Sequence, residues 1–215
     1  MKKLFILLLL PILLLAGCER FEETSKQDVI NGYPDFINFD KNDDIEIDIF
    51  VDGSFHEGYE YRNVPNQIRF AHSFKDLEDS YMYEYMYERQ TNDFIERHYK
   101  NGTQFYNKVE TMDEDTFYQL YSNQTYFNIE IDFNYFDKMT VNRSFLQVEK
   151  AYRSVDISFK SHPVIELTTE TSTYEFILYT GIFRFDDYYD EGLVDINLEG
   201  KTTDNKEILI SIHKS

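Results

Sequence analysis

From residue 45 onward, apolar and polar positions alternate with a period of two, the mark of strands that bury one face. Ile45, Ile47, Ile49 and Val51 alternate with Glu46, Asp48 and Phe50, and Asp52-Gly53 follows as a turn. Ile68, Phe70 and Phe74 mark a further strand after Pro65. Residues 81–88 read Tyr-Met-Tyr-Glu-Tyr-Met-Tyr-Glu. A helix would pair Tyr81 with Tyr85 and Met82 with Met86, but the strict period and the β preference of tyrosine favour a strand. Phe94 to Tyr99 and Gln104 to Val109 flank Asn101-Gly102, a pair suited to two turn positions with positive φ, so a hairpin is expected. Thr111-Met112-Asp113-Glu114 fits a capping box, and Phe117, Leu120 and Tyr121 follow at helical spacing, predicting a helix over 112–122.

The longest alternating run is Phe127, Ile129, Ile131, Phe133 and Tyr135. Residues 144–154 fit strand or helix, and Val155, Ile157 and Phe159 resume the alternation. Two more hairpins are expected: Ile165–Leu167 with Tyr174–Tyr179, and Leu193–Leu198 with Ile208–Ile212. The sum is about ten or eleven strands and one or two helices, with no internal repeat. The pattern predicts a mainly β fold over residues 41–215. It is an antiparallel sheet, either a curved half-barrel or a β-sandwich, with one or two short helices. Two small sandwiches dividing near residue 122 are the alternative.

The first 18 residues differ in kind. Lys2 and Lys3 precede an apolar run, Leu4 to Leu15, interrupted only by Pro11 and followed by Ala16-Gly17-Cys18. The run is shorter than the roughly 20 apolar residues that span a bilayer. It is also apolar on every side, unlike an amphipathic core helix. Leu15-Ala16-Gly17-Cys18 resembles the lipobox of a bacterial lipoprotein with a type II signal peptide. That resemblance implies removal of residues 1–17 and attachment of a diacylglyceryl group to Cys18. Two acyl chains anchor a protein stably, whereas one binds only marginally. Residues 18–40 then read as the lipidated cysteine and a polar tether containing Asn31-Gly32-Tyr33-Pro34. The implied address is the extracytoplasmic face of a cell membrane. Glu19, rather than aspartate, after the cysteine leans towards the outer membrane if the source has two.

Composition narrows the functions. The formal charge of −19 becomes −21 once Lys2 and Lys3 are removed. Such a chain repels phosphate backbones, so nucleic acid is excluded as a partner. It also repels anionic headgroups, leaving the lipid on Cys18 to make the membrane contact. Cys18 is the only cysteine, so a lipidated chain has neither a disulfide nor a thiol nucleophile. Aromatic residues reach 17%, with 18 Tyr, 19 Phe and no Trp; both prevalent types favour strands.

Recognisable catalytic chemistry is sparse. His56, His72, His98, His162 and His213 show no metal-ligand spacing. Asp40-Lys41-Asn42-Asp43-Asp44 opens like a calcium loop, but Ile45 stands where an EF-hand needs glycine and Val51 where it needs glutamate. Asp186, Asp187, Asp190 and Glu191 crowd one loop and could hold calcium, against the ordinary reading of a solvated turn. There is no Gly-x-Ser-x-Gly elbow, and Ser211-Ile212-His213-Lys214 matches Ser-x-x-Lys only in letters. No cofactor is expected, and a carboxylate-dependent hydrolase is the remaining enzymatic alternative.

Tyr81, Tyr83, Tyr85 and Tyr87 carry two readings. They are core packing or cross-strand pairs, or they are a binding surface, since each offers an apolar body with a polar tip. Met82 and Met86, on the opposite face, would suit an adaptable core. In strand order and length, residues 45–213 resemble lipoprotein-carrier half-barrels, in which a curved sheet encloses a hydrophobic ligand beneath a helical lid. The expectation is a non-enzymatic lipoprotein that binds an amphiphile or a protein partner. A carrier needs an apolar cavity of several hundred Å3; an interaction module needs an exposed aromatic patch.

Overall fold

The computed structural model describes residues 29, 31, 43–121, 127–129, 139–147, 152–159, 164–169, 171–186 and 192–215. The strands are β1 (Ile45–Val51), β2 (Ser54–Val64), β3 (Gln67–Asp76), β4 (Asp79–Glu88), β5 (Asp93–Lys100), β6 (Thr103–Thr111), β7 (Phe127–Ile129), β8 (Met139–Gln147), β9 (Tyr152–Phe159), β10 (Val164–Thr169), β11 (Thr173–Asp186), β12 (Gly192–Thr202) and β13 (Glu207–Lys214). Helix α1 (Glu114–Tyr121) lies between β6 and β7.

The expected mainly β, antiparallel architecture is present as one sheet. Its strand order is β6-β5-β4-β3-β2-β1-β13-β12-β11-β10-β7. Strand β11 serves two neighbours along one edge: its first half pairs with β10 and its second half with β9, which in turn carries β8. Among the described residues the sheet does not close on itself.

Side-chain contacts show how strongly it curls. Strand β11 lies four positions from β2 in the sheet, which on a flat sheet is about 19 Å. Yet the Tyr174 hydroxyl of β11 donates to Glu57 Oε2 of β2 at 2.8 Å. The inner face is therefore folded over its own core. Ile45, Ile47 and Ile49 of β1, Ile208, Ile210 and Ile212 of β13, and Ile196 and Leu198 of β12 are buried there. Each row crosses the sheet in register, as in Tyr59, Ile47, Ile212 and Ile196. Burying such a side chain is worth about 1.5–3 kcal/mol against exposure. The core also takes in Val29, a helical residue in the stretch read from the sequence as tether.

Strand β2 is the element that alternation conceals, because the acidic Glu57 occupies an inward position and a bulge beside it puts Phe55 on the outer face. Residues 144–154 resolve into the end of β8 and the start of β9. The run expected through Ile131, Phe133 and Tyr135 lies outside the described residues beyond Ile129. Asn101 and Gly102 have φ of 49° and 75°, the geometry expected of the β5–β6 turn.

Helix α1 sits inside the span predicted for it, but its cap differs. Asp113 Oδ1 accepts the Thr116 amide at 2.9 Å, and Asp113 Oδ2 accepts the Thr116 hydroxyl. Thr111 instead pairs with Asp93 as the last residue of β6. The ladder holds that backbone extended, so the helix can begin only after it. One face of α1 drops Phe117 into the core against Tyr87 and Phe94.

Candidate functional site

The four tyrosines of β4 do share a face, and it is the face turned to the core. Tyr87 is buried under Phe117, and its hydroxyl donates to Asn92 Oδ1 at 2.8 Å. Tyr85 stacks on Tyr121 of α1 with ring centroids 4.5 Å apart. Towards the other end of the strand, Tyr83 lies 4.3 Å from the His98 ring and Tyr81 stacks on Phe74 at 5.2 Å. The ladder thus grades from packed at Tyr87 to half-exposed at Tyr81. Met82 and Met86 lie on the opposite face from the main core cluster, where Met86 is nevertheless buried beside Gln67 and Met82 is half-buried. That outward side carries charge instead. Arg69 bridges Glu60 and Glu84, and Glu84 also meets Arg97.

A buried polar cluster lies where the sheet folds over. Glu57 and His72 are fully buried, with His72 Nε2 2.8 Å from Glu57 Oε1. The hydroxyls of Tyr59 and Thr171 donate to Oε1 at 2.7 and 2.6 Å, and those of Thr169 and Tyr174 to Oε2 at 3.0 and 2.8 Å. Tyr59 stacks on His72 with planes only 4° apart. Burial alone raises the Glu57 pKa, but the hydrogen bonds from His72, Thr171, Tyr59 and Tyr174 outweigh it and bring it down to about 2. Tyr174 is pushed up by burial and by the Glu57 charge. His56 is the extra residue of a bulge in β2, because Ile49 pairs with Glu57 while Phe50 pairs with Phe55. That bulge lets sequence neighbours His56 and Glu57 both reach Tyr174, the former through Nδ1 at 2.7 Å. The cluster has the side chains of an acid–base site, yet Glu57 and His72 have no solvent access. Its hydrogen bonds tie the β10–β11 hairpin to β2 and β3.

The opposite, outer face holds a groove of about 490 Å3. Phe50, Leu209, Glu199 and Thr180 form one row across β1, β13, β12 and β11. Phe50 packs edge-to-face on Phe55. A second bulge, between Leu178 and Thr180, leaves Tyr179 as the extra residue and turns it into the groove wall. Gly200 makes that crossing feasible: a Cβ there would sit 2.3 Å from the Ile177 carbonyl oxygen. Glu199, Lys201 and Glu207 supply the polar rim. The floor is aromatic and aliphatic, and the volume is that of a small-ligand site. Sequence reading missed this groove, because its residues come from four strands and its wall depends on a bulge.

The remaining candidates are scattered. Asp186 ends β11 and is buried, while Asp187, Asp190 and Glu191 lie outside the described residues, as do Cys18 and His162. Of the acidic stretch at 40–44, Asp44 Oδ1 accepts the Asn63 amide at 2.7 Å and Asp43 pairs with Lys214 at 2.9 Å. Among the described residues no three His, Cys, Asp or Glu side chains converge as a metal site. No helix among them is long and apolar enough to cross a membrane.

No protein-family model matches the chain, and no curated protein matches it. The fold and the groove define it only as an open, curled antiparallel β protein with a ligand-sized depression on its outer face.

Proposed function

We propose that the protein is a lipid-anchored extracytoplasmic binding module, without catalysis of its own, that holds an amphiphilic ligand in the groove between Phe50 and Tyr179. The groove carries this reading. Phe50 and Leu209 on its floor and Tyr179 on its wall match an apolar body, and Glu199, Lys201 and Glu207 match a polar head. The lipobox residues Leu15 to Cys18 support the anchor. An outer-face groove suits a module that presents or senses its ligand rather than a carrier that encloses it.

Binding of N-phenyl-1-naphthylamine, a neutral apolar fluorophore, to the chain from residue 18 with Cys18→Ser tests the reading. Saturable fluorescence enhancement is expected, and Leu209→Glu should weaken it about tenfold by charging the floor. Equal binding by the two proteins, with matching circular dichroism, overturns it. A protein partner is the second reading, favoured by Phe105, Tyr106 and Val109, which stand exposed on one edge of the sheet.

A further inference from the structure

Among the described residues, strand β6 ends the sheet, pairing with β5 alone. All nine of its residues are exposed, including Phe105 (58%), Tyr106 (39%) and Val109 (57%). A strand edge of this kind presents unpaired backbone groups as a template for another strand. What it can accept is limited by charge. The chain carries −19 overall, yet the hairpin from Asp93 to Thr111 is neutral: Asp93, Glu96 and Glu110 balance Arg97, Lys100 and Lys108. Two copies that repel each other elsewhere can approach here.

We infer that β6 is a self-association edge, on which a second copy of this chain pairs antiparallel about a two-fold axis through Val109. A two-fold normal to the sheet must pass through one residue, and the neighbouring choices fail. An axis through Lys108 sets lysine against lysine, and one through Glu110 sets glutamate against glutamate. An axis through Asn107 carries the pairing across the bulge at Phe105, where β6 has one residue more than β5. The axis through Val109 sets Val109 on Val109 of the second copy, Asn107 opposite its Thr111, and Lys108 opposite its Glu110, twice. Within one chain Lys108 Nζ already lies 2.7 Å from Glu110 Oε1, so both charges stand on the same face and their exchange between copies needs no new orientation. The stretch 106–111 pairs with β5 without interruption, so its outer edge is regular enough to add a strand. Cross-strand apolar and opposite-charge pairs of this kind are the stabilising units of a sheet. The result would be two curled sheets joined edge to edge, with the outer-face groove of each copy left clear, five strands away at β1.

Disulfide trapping in membranes of cells producing the full chain tests this. In either kind of antiparallel pair the Cα atoms of facing residues lie about 4.5–5.5 Å apart, within disulfide range. Val109→Cys should therefore give a covalent dimer on mild oxidation. Phe105→Cys, equally exposed but set opposite Asp113 of the second copy, should not. The unmodified chain, whose only thiol is Cys18, sets the background. Adding Lys108→Glu to Val109→Cys should cut the dimer yield about tenfold, and adding Glu110→Lys as well should restore it. The inference is overturned if folded Val109→Cys gives no dimer, if Phe105→Cys links as well, or if the charge exchange fails to restore linking. None of these outcomes bears on ligand binding in the groove.

Discussion

Glu57 shows how one residue can hold a fold together while resembling a reactive group. A buried carboxylate is costly unless every lone pair is engaged. Here four hydroxyls and an imidazole from β2, β3, β10, β11 and the turn between the last two converge on it. Glu57→Ala strands those donors, and the cost should be about 3–5 kcal/mol. Thermal melts should then show a fall on the order of 10 °C for a chain of this size. The pH dependence has a definite sign. The folded-state pKa of about 2 lies below the ordinary 4.5, so the contribution is full above pH 4.5 and is lost as pH falls towards 2. The gap in melting temperature between the native chain and Glu57→Gln should shrink over that window. A gap that stays constant from pH 5 to pH 2 would mean that the Glu57 charge is not what matters. None of this was legible beforehand: a lone glutamate among aromatics looks like a break in the pattern.

At the scale of elements, local chemistry was readable wherever it was complete within a few residues. The Asn101-Gly102 hairpin, the β1 alternation and the span of α1 needed nothing from elsewhere in the chain. The cap of α1 was misplaced by two residues, because Thr111 is claimed by the β5–β6 ladder and Asp113 is the first residue free to bend. Asp113→Ala should therefore lower the melting temperature by about 3 °C, while Thr111→Ala changes it little. Equal effects in circular dichroism melts would move the cap back to Thr111. The bulges at His56 and Tyr179 left no local signal. A bulge is a mismatch between two strands, and one strand alone does not record it.

For the whole molecule, the proposed lipobox would set the address, and the curled sheet sets the surfaces. If Cys18 carries the lipid, Cys18→Ser in the full chain should abolish incorporation of labelled palmitate and leave the precursor uncleaved on a gel. Continued cleavage and labelling would sink the lipoprotein reading. The sequence by itself determined the strand periods and the tight turns, since each depends on neighbours along the chain, and it carries the acidic balance and the tetrapeptide at Cys18 on which the proposed partners and address rest. Only the tertiary structure decided that the tyrosine face of β4 turns inward, that Glu57 meets Tyr174 across the fold, and that Phe50 and Leu209 floor an outer groove. Alternation states that a strand has two faces. Which of them is buried depends on the direction in which the sheet curls, and that is settled by contacts between residues more than a hundred positions apart.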